Sequence, residues 1–185
     1  MIKETLKDAE SRMKGAISSL EEDLAGIRTG RASPVLVERL TIDYYGAPTP
    51  FNQLSTISVP DPRTIMIRPF DGSTLKAIEK AILASDLGLT PNNDGKAIRL
   101  ILPPLTEQRR KDLVKVVNTR LEEARVAVRN VRRDILRDLK DFEKEKMISE
   151  DELKNGETGL QKIVEEMIKH IDAIGVKKEK EIMEV

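Results

Sequence analysis

All 9 prolines of the chain lie between Pro34 and Pro104, and the flanking segments contain none. Proline removes a helix donor and clashes with the preceding turn, so the flanks are free to run as long helices and the centre is not. In the first flank Ile2, Leu6, Ala9, Met13, Ile17, Leu20, Leu24 and Ile27 recur at steps of three and four, the apolar seam of an amphipathic helix. After Pro103-Pro104, Thr106 and Glu107 supply an N-cap and a first-turn acid. Val117, Leu121, Ala124, Val128, Val131, Ile135, Leu139 and Phe142 then keep the same rhythm. This predicts a helix from Thr106 to about Lys146, roughly 60 Å long at 1.5 Å per residue. Ser149-Glu150-Asp151-Glu152 has the spacing of a capping box. Leu160, Val164, Met167, Ile171 and Ile174 continue as a third seam. Gly156 and Gly159 weaken its first turns by about 1 kcal/mol each relative to alanine, so fraying is expected there.

The centre reads differently. Leu40, Ile42 and Tyr44 alternate with polar residues as in a half-buried strand, and Ile65-Met66-Ile67 forms a short buried one. Gly46-Ala47-Pro48-Thr49-Pro50, Pro60-Asp61-Pro62 and Asp71-Gly72 carry turn chemistry. Leu75 to Ala84 suits a helix, and Asn92-Asn93-Asp94-Gly95 a hairpin turn leading into Ile98, Leu100 and Leu102. The fold expected is α+β. An elongated antiparallel three-helix bundle takes residues 1–30 and 105–185, and a smaller β/α/β domain, residues 31–104, is inserted into it. Two short crossings, 28–34 and 102–106, form a two-linker hinge, and a bent, L-shaped outline follows.

Motifs for catalysis are missing. There is no cysteine, which removes disulfides, thiolate metal sites and cysteine nucleophiles together. His170 is the sole histidine and sits beside an apolar seam, where an exposed helix histidine is the ordinary reading. Gly88 to Gly95-Lys96 has the wrong spacing for a P-loop, and Ala97 stands where Ser or Thr is needed. Glu150, Asp151 and Glu152 sit at a helix start, where acids complement the macrodipole. No enzyme, cofactor or metal site is expected. The start of the chain mixes charge with single apolar residues, so no signal peptide is expected, and no stretch approaches the ~18 apolar residues of a membrane span, so a cytoplasmic location is expected.

The formal net charge of +0 conceals an asymmetry. Residues 107–133 carry 9 basic and 4 acidic groups, a net of +5, whereas residues 134–185 carry 10 and 15, a net of −5. Within the positive segment Arg125, Arg129, Arg132 and Arg133 fall on adjoining parts of one helical face. Arginine occurs six times between Arg120 and Arg137 and lysine not at all, a choice that favours bidentate phosphate contacts over mere solubility. Two readings stay open on spacing alone. One is a solvated face with salt bridges to acids of the third helix. The other is a phosphate-binding stripe on structured RNA, recognised by shape and backbone because aromatics for base stacking are scarce.

Longer stretches carry more information. Arg28-Thr29-Gly30-Arg31-Ala32-Ser33-Pro34, Tyr44-Tyr45-Gly46-Ala47-Pro48-Thr49-Pro50, Ala84-Ser85-Asp86-Leu87-Gly88-Leu89, Leu102-Pro103-Pro104-Leu105-Thr106-Glu107 and Ala124 to Asp134 closely resemble the ribosome recycling factor family of bacteria and organelles. The resemblance implies an L-shaped monomer of two domains that enters the ribosome after termination. With elongation factor G and GTP it would split the ribosome into subunits, releasing mRNA and deacylated tRNA. It further implies that Arg132 contacts large-subunit RNA near the A and P sites, with Arg129, Arg133 and Arg125 beside it. Arg28, Thr29, Gly30, Arg31, Pro103, Pro104, Leu105 and Thr106 would carry the hinge.

Overall fold

The computed structural model describes residues 1–184; Val185, the last residue of the expected bundle span, lies outside the described residues. Helix α1 (Ile2–Ala25) is followed by the hairpin β1 (Thr41–Tyr44) and β2 (Ala47–Pro50) and by one helical turn, α2 (Phe51–Leu54). Strands β3 (Ser55–Asp61) and β4 (Thr64–Pro69), helix α3 (Leu75–Ala84) and strands β5 (Pro91–Asn93) and β6 (Ile98–Ile101) complete the central region. Two long helices, α4 (Glu107–Lys144) and α5 (Glu150–Met183), end the chain. No described helix is long and apolar enough to cross a membrane.

Two compact units result, Met1–Arg28 with Gln108–Glu184, and Thr29–Glu107. In the first, three helices bury their seams on one another. Ala9, Met13, Ile17, Leu20 and Leu24 of α1 are buried, as are Leu121, Val128, Ile135 and Leu139 of α4 and Leu160, Val164, Met167 and Ile171 of α5. Each buried Leu or Ile contributes about 1.5–3 kcal/mol of transfer free energy. The directions follow from the pairs that meet. Leu121 of α4 approaches Gly175 of α5 while Leu139 approaches Gly156, so these helices are antiparallel. Arg12 of α1 reaches Asp134 of α4 at 2.9 Å, and Ile2 and Leu6 lie against Gly156 and Gly159, so α1 runs parallel to α5. The capping box at Ser149 forms as expected, with Glu152 Oε2 accepting from the Ser149 N–H at 2.7 Å.

The expected fraying at Gly156 and Gly159 is absent. Helix α5 is continuous through both, and Gly156 is buried against Leu139 and Ile2. The missing side chains let α1 and α4 approach α5 closely, and the packing gained offsets the weak helix propensity.

The second unit holds a four-stranded antiparallel sheet of order β3-β4-β6-β5 and the separate β1–β2 hairpin. Phe51, Ile65, Ile67, Ile78, Ile82, Ile98 and Leu100 form its core with almost no exposure, α3 lending its Leu75, Ile78 and Ile82 face. The Gly46-to-Pro50 segment, expected as turn, is a turn only at its start. Tyr45 and Gly46 both take positive φ, 50° and 83°, as a two-residue hairpin loop requires, and Ala47–Pro50 pairs with β1. Because this sheet has only two strands, Pro48 and Pro50 lie on an edge that tolerates a missing donor. Strand β3 has no counterpart in the sequence reading. Its exposed, polar, proline-containing run hides an edge strand that gets its pairing from β4.

Candidate nucleic-acid interface

Arg125, Arg129, Arg132 and Arg133 lie on α4 within about 100° of helical arc, on the flank facing α5. The structure divides them. Arg125 is half-buried and donates from Nε and Nη2 to Asp172 Oδ1 on α5, at 3.2 and 2.6 Å. Its Nη1 meets Glu122 Oε2 at 3.4 Å. Arg129 donates to the other oxygen of the same carboxylate, Glu122 Oε1. The hydrogen bond from Arg129, then that from Arg125, holds the Glu122 carboxyl below its ordinary range, while its bond to Asp172 raises Arg125. Arg132 and Arg133 are exposed, and among the described residues neither has an ion pair or hydrogen bond.

The salt-bridged reading of the stripe therefore describes only Arg125 and Arg129. Arg125 is bridged to the third helix and Arg129 is neutralised within its own, whereas Arg132 and Arg133 present free guanidinium groups. Arg132 also borders a groove of about 710 Å³ between α4 and α5, whose charged lining is mixed, Lys154 and Lys162 standing with Glu157 and Glu165. Sequence reasoning did not single out Glu122, Asp172, Lys154 or Lys162. The Glu122–Arg125 spacing is a local signal that could have been read; the approach of Asp172 and the groove depends on tertiary packing.

Near the ends of the second unit, Thr29 and Gly30 are buried and Leu105 is half-buried. Gly30 has φ of 75°, and a β-carbon there would sit 2.9 Å from Leu105 Cγ. The Ala32 N–H donates to Pro62 O at 2.7 Å, and the Leu102 N–H donates to Arg63 O at the same distance. Both ends of the inserted segment are thus tied to one turn, between β3 and β4. Arg28 and Thr106 each have interactions of their own. The groups in neither region amount to a catalytic constellation. His170 is exposed, and the described residues contain no acid or histidine cluster able to hold a metal.

A sequence model described as ribosome recycling factor matches residues 20–183. The chain belongs to the ribosome recycling factor family. Over all 185 residues it is 54% identical to the ribosome-recycling factor of Roseiflexus sp. (strain RS-1) and 56% identical to that of Syntrophomonas wolfei subsp. wolfei, covering 100% of each protein. Among solved structures it is similar to a ribosome recycling factor determined in solution, with TM-score 0.76, 44% identity and coverage of 100% of this chain and 98% of the other. A second neighbour has TM-score 0.66 and 50% identity and covers 99% of both chains. It comes from models of the T. thermophilus ribosome recycling factor and E. coli elongation factor G bound to the E. coli post-termination complex.

Proposed function

We propose that this chain binds the post-termination ribosome and, with elongation factor G and GTP, splits it into subunits and releases mRNA and deacylated tRNA. The observation that carries the reading is family membership over essentially the whole chain, together with a ribosome-bound relative at 50% identity. The chain acts in the cytoplasm as a monomer and catalyses no reaction itself; the GTPase is elongation factor G. Arg132 and Arg133 neutralise phosphates of large-subunit RNA near the A and P sites, and Arg125 and Arg129 stand beside them. The rod of α4 and α5 transmits force, because its length is held by packed seams rather than by loops. Residues 28–31 and 103–106 carry the hinge, since they lie close to the two points, after Arg28 and after Glu107, where the chain passes from one compact unit to the other.

Light scattering of purified post-termination ribosomes tests this. A fall in scattering that requires the protein, elongation factor G and GTP together supports the reading. Salt-sensitive binding without a fall would support an inhibitor that stabilises the joined particle, and no binding would leave a helical scaffold.

A further inference from the structure

We propose that Glu122 is a specificity-determining residue of the arginine stripe, holding Arg129 and one arm of Arg125 in internal ion pairs so that RNA meets free guanidinium groups only at Arg132 and Arg133. The inference rests on the stripe being an RNA interface. Its basis is geometric. The two oxygens of one carboxylate are taken by two arginines of the stripe, Oε1 by Arg129 and Oε2 by Arg125. Asp172 occupies the remaining arm of Arg125. Two of the four cations are thereby balanced by two carboxylates, and the two left unmatched are adjacent and at one end.

A phosphate approaching Arg129 must displace the Glu122 carboxylate and meets its negative charge, whereas a phosphate at Arg132 or Arg133 has no ion pair among the described residues to break. Sequence-independent RNA affinity grows with the number of phosphates neutralised, each adding about 0.7–0.9 to the slope of log K against log salt. An unrestrained stripe of four arginines would adhere to any RNA duplex. Glu122 withdraws part of that affinity and confines it to a surface whose phosphates match Arg132 and Arg133. The next acid along the helix provides the control. Glu123 pairs with Arg120 at 3.1 Å, and Arg120 also faces Asp23 of α1, away from the stripe.

The experiment measures binding of the full chain, Glu122→Gln and Glu123→Gln to purified ribosomes and to a short RNA duplex of unrelated sequence, over a fourfold range of salt. Glu122→Gln should bind the duplex more tightly, with a salt slope larger by about 0.7–0.9, which is about threefold more affinity lost over that range. Its preference for ribosomes over duplex should fall, Glu123→Gln should match the parent, and adding Arg129→Gln to Glu122→Gln should restore the parental slope. Equal slopes and preferences in the two glutamine variants would overturn the proposal, as would weaker duplex binding by Glu122→Gln. A parent chain that binds neither ribosomes nor duplex would overturn the RNA interface itself, a result distinct from either of these.

Discussion

Arg125 binds one oxygen of Asp172 through two of its nitrogens, Nε at 3.2 Å and Nη2 at 2.6 Å, and so ties the middle of α4 to α5. A planar fork on a single acceptor suits arginine and not lysine. The side chains remain 28% and 52% exposed, which places the pair among surface ion pairs. A double-mutant cycle with Arg125→Ala and Asp172→Ala, followed by urea denaturation, should give a coupling of about 0.2–1 kcal/mol. The coupling should shrink at 1 M salt, where screening acts over about 3 Å. A coupling unaffected by salt would mean that packing of the arginine stem matters and its charge does not.

Glycine substitutions should separate by location. Gly15 lies on the exposed side of α1, and a β-carbon there meets nothing within 4 Å, so Gly15→Ala should stabilise the protein by about 0.5–1 kcal/mol. At Gly175 the same carbon would overlap Leu121 Cδ1, with Leu121 Cδ2 and Cγ at 3.3 and 3.4 Å. Leu121 is buried, 5% exposed, and could move only by repacking its neighbours, so Gly175→Ala should destabilise by about 1–3 kcal/mol despite its better helix propensity. In a Leu121→Ala background the penalty should vanish. Thermal unfolding of the four variants checks all of this.

Acid should weaken the fold in a predictable direction. Asp94 accepts the Ala97 and Lys96 N–H groups at 2.8 and 2.9 Å, and those bonds, that of Ala97 foremost, lower its pKa. The bond from the Ser149 N–H does the same for Glu152. A carboxyl whose folded pKa lies below its unfolded value stabilises fully above the unfolded pKa, and the contribution is lost as pH falls through the folded one. The urea midpoint should therefore hold near neutrality and drop below about pH 4. Asp94→Asn should lower the neutral midpoint and flatten the acid limb; an unchanged acid limb would show that this loop carries no pH-linked stability.

The helical part of the fold was legible because its rules are local. Steps of three and four mark buried seams, and Ser149 with Glu152 announces its own cap. Strand β3 was not legible, because the Ser55–Asp61 run is exposed and gains its structure from pairing with β4. Gly156 and Gly159 misled for a related reason, since propensity counts a glycine's cost and says nothing of the neighbour that needs the space. At the interface, spacing collected the four arginines on one face. Separating Arg125 and Arg129 from Arg132 and Arg133 needed the local Glu122 signal, which went unread, and the partner Asp172, which lies 47 residues away from Arg125 and is brought near only by packing.

Gly30, in the small unit just after its boundary at Arg28, makes the proposed hinge testable on its own. A residue with a β-carbon pays about 1–2 kcal/mol for left-handed backbone, and here the carbon would also press on Leu105. Gly30→Ala should lower the unfolding midpoint, and Leu105→Ala in the same chain should recover only the steric share. In the scattering assay Gly30→Ala should slow splitting more than it weakens ribosome binding. Equal loss of both would assign the effect to folding of the small unit.

Arg132 and Arg125 provide the sharpest contrast, because the structure gives one a partner and the other none. Arg132→Ala removes a free cation that bonds to no described residue, so its unfolding midpoint should stay within about 0.5 kcal/mol of the parent. A charge-assisted phosphate contact is worth about 1–3 kcal/mol, so its ribosome affinity should fall by roughly fivefold to 150-fold, with a shallower salt slope. Arg125→Ala should do the reverse, costing stability through Asp172 and little affinity, since that guanidinium is already occupied. Arg132→Lys should restore part of the affinity lost by alanine, because a point charge replaces the planar fork. If Arg125→Ala weakens ribosome binding as much as Arg132→Ala does, the ion pairs on α4 open in the complex and the whole stripe contacts RNA.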